Sequence, residues 1–255
     1  MPSTPLISIS VVSHGDGGPL RTLLESLARN EPPERLQLLI TDNLGRDLPE
    51  MVQEGWQSVV MLRPDRPRGF AANHNAAFER ATGHCFCVLN PDVVFVAPVL
   101  LRLIERLRRG EGDIVAPLIA DSRGMIQDSF RPLPSPLEIA WRRLGYMQLP
   151  AVPVAGSLLR PDWIAGIFML MQHETFARLG GFDPRYRMYF EDVDLCTRAR
   201  LMGLRILVDT ALRLQHDPRH ASRRAGKYLL WHIQSGMRFF ASEGYRRARR
   251  MRQNA

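Results

Sequence analysis

The chain has 255 residues, 45% of them hydrophobic, which is enough for one large domain or a domain with an appendage and too apolar for disorder. Its net charge is +8, carried almost wholly by arginine with Lys227 the single lysine, so anionic partners are favoured: nucleotide phosphates, acidic lipid headgroups or nucleic acid. Cys85, Cys87 and Cys196 stand at no disulfide or zinc spacing, no basic-then-apolar leader opens the sequence, and no apolar run matches a membrane-spanning helix. A soluble or peripheral protein in a reducing compartment is expected.

Leu6 to Ser13 is short, apolar and β-branched, and it ends at His14-Gly15-Asp16-Gly17-Gly18, the pattern of a buried strand and a turn. Leu20, Leu23, Leu24 and Leu27 then recur at helical spacing within Pro19–Arg29. Leu36–Thr41 reads as a second strand, closing on Asp42-Asn43, and Ser58–Leu62 as a third. A helix is expected over Gly69–Ala81, and a fourth strand over Cys85–Leu89, closing on Asn90-Pro91-Asp92. Val99–Leu107 reads as helix and Ile114–Leu118 as strand. This alternation predicts an α/β fold with a mostly parallel central sheet and helices on both faces.

Ile119 to Pro161 breaks the rhythm with Pro132, Pro134, Pro136, Pro150, Pro153 and Pro161, and is expected to be a functional or mobile loop. Ala165–Gln172 reads as a strand, Glu174–Leu179 as a helical turn before Gly180-Gly181, and Arg205–Asp209 as a late strand. Lys227–Phe240 carries an amphipathic pattern with Leu230, Ile233, Met237 and Phe240 on one face. The arginines from Arg246 to Arg252 form a solvated tail or a membrane-surface contact, and no nucleic-acid module accompanies them.

Ligands of parallel α/β sheets bind beyond the carboxyl ends of the strands, where Asp42, Asp92 and the His14 turn fall. A lone Asp after a strand is more often a turn former or a helix cap. Here a second acidic group stands downstream in Tyr189-Phe190-Glu191-Asp192-Val193-Asp194-Leu195-Cys196. Its bland reading is an acidic helix start; its functional one is a metal, a cationic partner or a carboxylate poised to take a proton. By chemistry, Asp42 suits the imide N–H of a pyrimidine base and Asp92 a Mg²⁺ or Mn²⁺ ion on a diphosphate, while Asp192 is left to deprotonate a hydroxyl.

These residues resemble the family 2 glycosyltransferases, and within them the rhamnosyltransferase-like branch. The resemblance rests on Val11-Val12-Ser13-His14, Thr41-Asp42-Asn43, Arg68-Gly69-Phe70-Ala71-Ala72-Asn73-His74-Asn75 and Leu89-Asn90-Pro91-Asp92. Trp163-Ile164-Ala165-Gly166, Gly180-Gly181-Phe182-Asp183 and Tyr189–Cys196 follow in the family's order. It implies a GT-A fold and transfer of a sugar, with inversion, from a nucleoside diphosphate donor to a cell-surface polysaccharide or lipid-linked glycan. The donor that this branch implies is dTDP-rhamnose. By position, Asp192 looks like the general base, Asp42 the base reader and Asp92 the last acid of the metal motif, with Asn90 in place of its first. Ser13, His14, Asn43, Arg68, Gly69, Asn73, Trp163, Gly166 and Glu191 fall in the matched donor segments. His216 lies where a late metal or phosphate contact is found, and His220, Ser222 and Arg223 follow it. Leu44 and Gly45 depart from the serine common after Asp42-Asn43.

The domain expected is 1–225, with 226–255 as an amphipathic helix and basic tail. The work implied is cytoplasmic, peripheral at the inner face of the membrane, without nucleic acid, and compatible with a homodimer. The rival readings are a UDP- or GDP-sugar donor, a non-catalytic protein of the same fold and a sugar-nucleotide pyrophosphorylase. The last would need a basic glycine-rich loop near the N-terminus, where only Arg21 stands.

Overall fold

The computed structural model describes residues 6–15, 17–45, 55–143, 154, 156–217 and 225–253. Asp16, His220, Ser222 and Arg223 lie outside the described residues. The chain begins β1 (Ile7–Ser13), α1 (Gly17–Asn30), β2 (Leu36–Asp42), β3 (Ser58–Leu62), α2 (Phe70–Phe78), β4 (Cys85–Leu89), β5 (Val93–Val94), α3 (Leu100–Arg108) and β6 (Ile114–Ala120). There follow β7 (Phe130–Arg131), α4 (Pro136–Arg143), β8 (Leu158–Leu159), β9 (Trp163–Ile164), β10 (Phe168–Gln172) and α5 (His173–Arg178). The last elements are α6 (Glu191–Leu201), β11 (Ile206–His216), α7 (Ala225–Ala241) and α8 (Glu243–Gln253).

Among the described residues the main sheet runs β3-β2-β1-β4-β10-β6-β11-β5, with β8 on β11. Its first four strands are parallel, so β1, β2 and β4 end at one edge and deliver Ser13, Asp42 and Asn90 there. Both β1 and β2 are buried along their whole length, and their interior polar residues Ser8, Ser10 and Gln37 are tolerated there because each is hydrogen-bonded, Ser8 to Gln37 and Ser10 to His74. β10 is inserted antiparallel between β4 and β6, with Phe168 opposite Leu89. The sheet is therefore mixed. The reversal carries the N-terminal end of β10, with Gly166 and Ile167, to the edge where β4 finishes, and Asn90 N–H donates to Ile167 O at 3.0 Å.

The late strand extends further than its sequence pattern predicts. β11 runs parallel to β6, breaks register between Asp209 and Arg213, and resumes to His216. Such a bulge bends and twists the strand. Its far end pairs antiparallel with β5, placing His216 opposite Val93 and next to Asp92.

The stretch expected to be one long loop contains β7 and α4, and β7 pairs with β9. The arginine run is not a tail but helix α8, which packs on α6 and α7. Tyr245 and Ala248 are buried in a second cluster with Tyr186, Phe190, Val193 and Phe239. In α7 three of the four residues picked out by periodicity are turned outward, Leu230, Ile233 and Met237 being 52%, 47% and 69% exposed, while Phe240 packs against Phe190 and Tyr245. The buried side is instead formed by Ser235 and Phe239, with Gly236 close against the Phe190 ring. No described helix is long and apolar enough to cross a membrane.

Candidate active site

The turn into α6 sets the position of the acidic cluster. Tyr189 and Phe190 adopt left-handed backbone angles, φ 70° and 67°, which non-glycine residues rarely hold. They are retained because the Phe190 ring is buried against Phe239, Phe240 and His232. Glu191, Asp192 and Asp194 then occupy the first turn of α6, where negative charge opposes the helix dipole favourably. The helix start expected from these acids is observed.

Asp192 is fixed at both oxygens. Oδ2 accepts from Gly166 N–H at 3.0 Å and Oδ1 from Val193 N–H at 2.8 Å. Burial raises its carboxyl above the ordinary value, and these two donors only partly oppose that. Glu191 is buried with Oε2 lacking any hydrogen-bond partner. Burial, and then the charge of Asp192, push it well above the usual range, so its neutral form is favoured. Asp194 is held by Arg198 at 2.8 Å and lies apart from the pair's chemistry.

A cleft of about 430 Å³ opens at the sheet edge, lined by His14, Asn90, Asp92, Gly166, Asp192 and His216 among others. His216 Nε2 stands 3.1 Å from Asp92 Oδ1, yet Oδ1 is buried without an aligned hydrogen bond. On the other side of Tyr189, Glu191 and Asp192 lies a second cleft of about 330 Å³, walled by Arg131, Pro132, Ile139, Trp163, Phe190 and His232. Arg131 is paired with Asp128 in its wall. Asp192 belongs to both clefts.

The remaining expected site residues lie beneath and beside this edge. Ser13 and Asp42 are register partners at the ends of β1 and β2, both buried, and Arg63 Nε lies 3.6 Å from Asp42 Oδ2. Neither lines the cleft. Asn43 clasps the backbone of Arg68, donating to its carbonyl at 3.0 Å and accepting from its N–H at 2.9 Å, while Asn73 reaches the same carbonyl at 3.4 Å. Gly69 is pressed against the 187 region: an added Cβ would stand 2.4 Å from Arg187 O. Asn75 bonds both backbone groups of Phe182, at 2.7 and 2.9 Å. The His74 ring, buried to 1% exposure and hydrogen-bonded to Ser10 Oγ, is pushed down to about 3 by burial and stays neutral. The motif from Arg68 to Asn75 thus ties the strand ends to the turn that carries the acids. Trp163 lines the second cleft and donates from Nε1 to Pro132 O. Sequence reading gave no role to Gln127, whose side chain holds His216, or to Tyr228, which lines the first cleft. Gln127 sits in the proline-rich stretch with no motif around it, so no signal was present.

Residues 8–194 match the family profile described as Glycosyl transferase family 2. The chain is 27% identical over 249 residues to rhamnosyltransferase WbbL of Escherichia coli, covering 92% of this chain and 93% of that protein. It is also 27% identical over 262 residues to N-acetylglucosaminyl-diphospho-decaprenol L-rhamnosyltransferase of Mycobacterium tuberculosis, covering 93% of this chain and 85% of the relative. Among solved structures, GalNAc-T7 with UDP, GalNAc and Mn²⁺ superposes with TM-score 0.67 at 17% identity, over 95% of this chain but 49% of that one. Mannosyltransferase PcManGT of Pyrobaculum calidifontis, with GDP-Man and Mn²⁺, gives 0.59 at 16% identity, over 92% of this chain and 65% of its own. These neighbours share the GT-A fold expected from the sequence. With the profile spanning most of the described sheet and its acidic turn, the chain belongs to the family 2 glycosyltransferases.

Proposed function

We propose that the protein transfers rhamnose from dTDP-rhamnose, with inversion, to a hydroxyl of a lipid-linked glycan that becomes cell-surface polysaccharide. The observation that carries this reading is the double placement of Asp192, in the wall of both clefts. A donor in the cleft of Asn90 and Asp92 and an acceptor in the cleft of Trp163 would meet at that carboxylate. Asp192 takes the proton of the attacking hydroxyl, and its burial-raised pKa suits it to that task. The Gly166 and Val193 N–H groups aim it.

Asp42, beside Ser13 and His14, reads the pyrimidine, and the loop of Arg68 and Gly69, clasped by Asn43 and Asn73, binds the donor. Asp92 and His216 fit a divalent cation, Mg²⁺ or Mn²⁺, because they converge within 3.1 Å with a buried carboxylate oxygen left without a hydrogen bond. Among the described residues no three His, Cys, Asp or Glu side chains gather to hold an ion alone. Such a site relies on substrate phosphates and water to complete the coordination, the habit of Mg²⁺. A bound cation would supply charge stabilisation to the departing diphosphate. The names of the two rhamnosyltransferase relatives, and the Mn²⁺ in the structural neighbours' titles, support these choices.

Residues 1–225 supply the catalytic carboxylates, Tyr228 and His232 of α7 complete the walls of the two clefts, and the arginines of α8 rest at the cytoplasmic face of the membrane. The test is nucleotide release from dTDP-rhamnose, UDP-sugars and GDP-sugars, each with Mg²⁺, Mn²⁺ or EDTA. Metal-dependent release from dTDP-rhamnose alone is expected. Release from a UDP- or GDP-sugar would move the donor assignment, and neither release nor calorimetric binding of any nucleotide would overturn the enzymatic reading.

A further inference from the structure

Gln127 makes two contacts with one residue. Its Nε2 donates to the His216 backbone carbonyl, and its Oε1 meets His216 Nδ1 at 2.7 Å. A carbonyl only accepts, so the amide nitrogen must face it. The amide oxygen must then face the ring, and since that oxygen also only accepts, the hydrogen of the ring has to sit on Nδ1. In the neutral imidazole, Nε2 is left with its lone pair. That lone pair points at Asp92, whose Oδ1 lies 3.1 Å away and makes no hydrogen bond. With the ring neutral, two electron-pair donors face each other across 3.1 Å, a gap that is bridged either by a proton on Nε2 or by a divalent cation.

We infer that Gln127 is the positioning residue of this site: by fixing the His216 tautomer it turns Nε2 and Asp92 Oδ1 into a two-point grip for a divalent cation. The inference rests on the cation reading proposed above and adds a residue to it. Gln127 lines neither of the two clefts. Its own backbone is held independently, by Gln127 N–H to Ile119 O at 2.8 Å and Ser129 N–H to Gln127 O at 2.9 Å, so the side chain can be changed while those anchors remain.

The experiment pairs two readouts on the full chain. Free Mn²⁺ is followed by electron paramagnetic resonance during titration, and the His216 ring nitrogens are observed by ¹⁵N–¹H NMR without metal, assigned by their loss in His216→Asn. Wild type should carry its ring hydrogen on Nδ1 and bind Mn²⁺. Gln127→Leu should move hydrogen to Nε2 and weaken Mn²⁺ by about 10- to 100-fold, as removing such an orienting partner does elsewhere. Gln127→Glu keeps an acceptor for Nδ1–H but loses the donor to the His216 carbonyl, so it should retain the tautomer and bind Mn²⁺ more tightly than Gln127→Leu does. Wild type with its hydrogen on Nε2 overturns the inference even if Gln127→Leu does not fold. Gln127→Leu that binds Mn²⁺ as wild type does overturns Gln127's part and leaves Asp92 and His216 standing. Wild type that binds no Mn²⁺, alone or with a nucleoside diphosphate, overturns the cation reading and this one with it.

Discussion

Asp192→Asn isolates the proton-accepting step from the architecture around it. The two carboxylate oxygens take one backbone N–H each, from Val193 and Gly166. An amide offers one oxygen, so one N–H loses its acceptor, and an unsatisfied buried donor costs about 1–3 kcal/mol. Against this, burial already disfavours the charged carboxylate, and a neutral side chain is relieved of that penalty. The two effects oppose, so the melting temperature should stay within roughly 5 °C of wild type, given about 2–4 °C per kcal/mol in chains of this size. The rate should fall much further. Loss of a general base costs about 10²- to 10⁴-fold, or roughly 3–5 kcal/mol of transition-state stabilisation. The assay is kcat/KM for transfer at saturating metal, with donor affinity by calorimetry as the control. A folded variant that binds donor and transfers within threefold of wild type would refute the base assignment. A variant that melts far lower would mean that Asp192 is chiefly a fold element.

Three further outcomes are expected. The acid limb of wild-type kcat/KM should lie above the ordinary aspartate value of about 3.9, because the base must be ionised and burial raises its pKa; a limb at or below that value contradicts the assignment. Glu191→Gln should melt higher than wild type at neutral pH. The Glu191 pKa is raised on folding, so the stability of the native state is full below the unfolded value, about 4.3, and declines as pH rises through the folded one; the advantage of Gln should vanish at acidic pH, and calorimetric melts across pH would show it. Asn75→Ala removes both side-chain bonds to Phe182, at 2.7 and 2.9 Å, and should cost about 1–3 kcal/mol in urea unfolding; an unchanged midpoint would show that water replaces the amide.

The sequence displayed the parallel half of the sheet plainly because strands such as β1 and β2 are short, largely apolar and rich in branched side chains, and because the strand ends are marked by Asp42, Asn90 and Asp92. Other features were hidden for physical reasons. The antiparallel placement of β10 depends on partners distant in sequence, and a five-residue apolar strand looks the same in either direction. The extension of β11 past Asp209 needs a bulge whose unpaired groups are met by Ser157 and by the Asp209 carboxylate, none of which a local pattern reveals. Periodicity found the amphipathic character of α7 correctly but not its orientation, since Leu230, Ile233 and Met237 face outward while Phe239 anchors the helix. Within the site, acids were legible and their supports were not. A carboxylate cluster is rare enough to notice, whereas Gln127 acts only through where the fold puts it.

The left-handed pair at Tyr189 and Phe190 bears on how this protein would respond to directed evolution. Each such residue costs about 1–3 kcal/mol, and the cost falls immediately before Glu191 and Asp192. A screen for heat resistance would find glycine or asparagine at position 189 an easy gain, since both tolerate positive φ. The same change removes a ring shared by both clefts. Selection for endurance and selection for turnover would therefore pull position 189 toward different residues, and a library sorted on each trait in turn would separate there first.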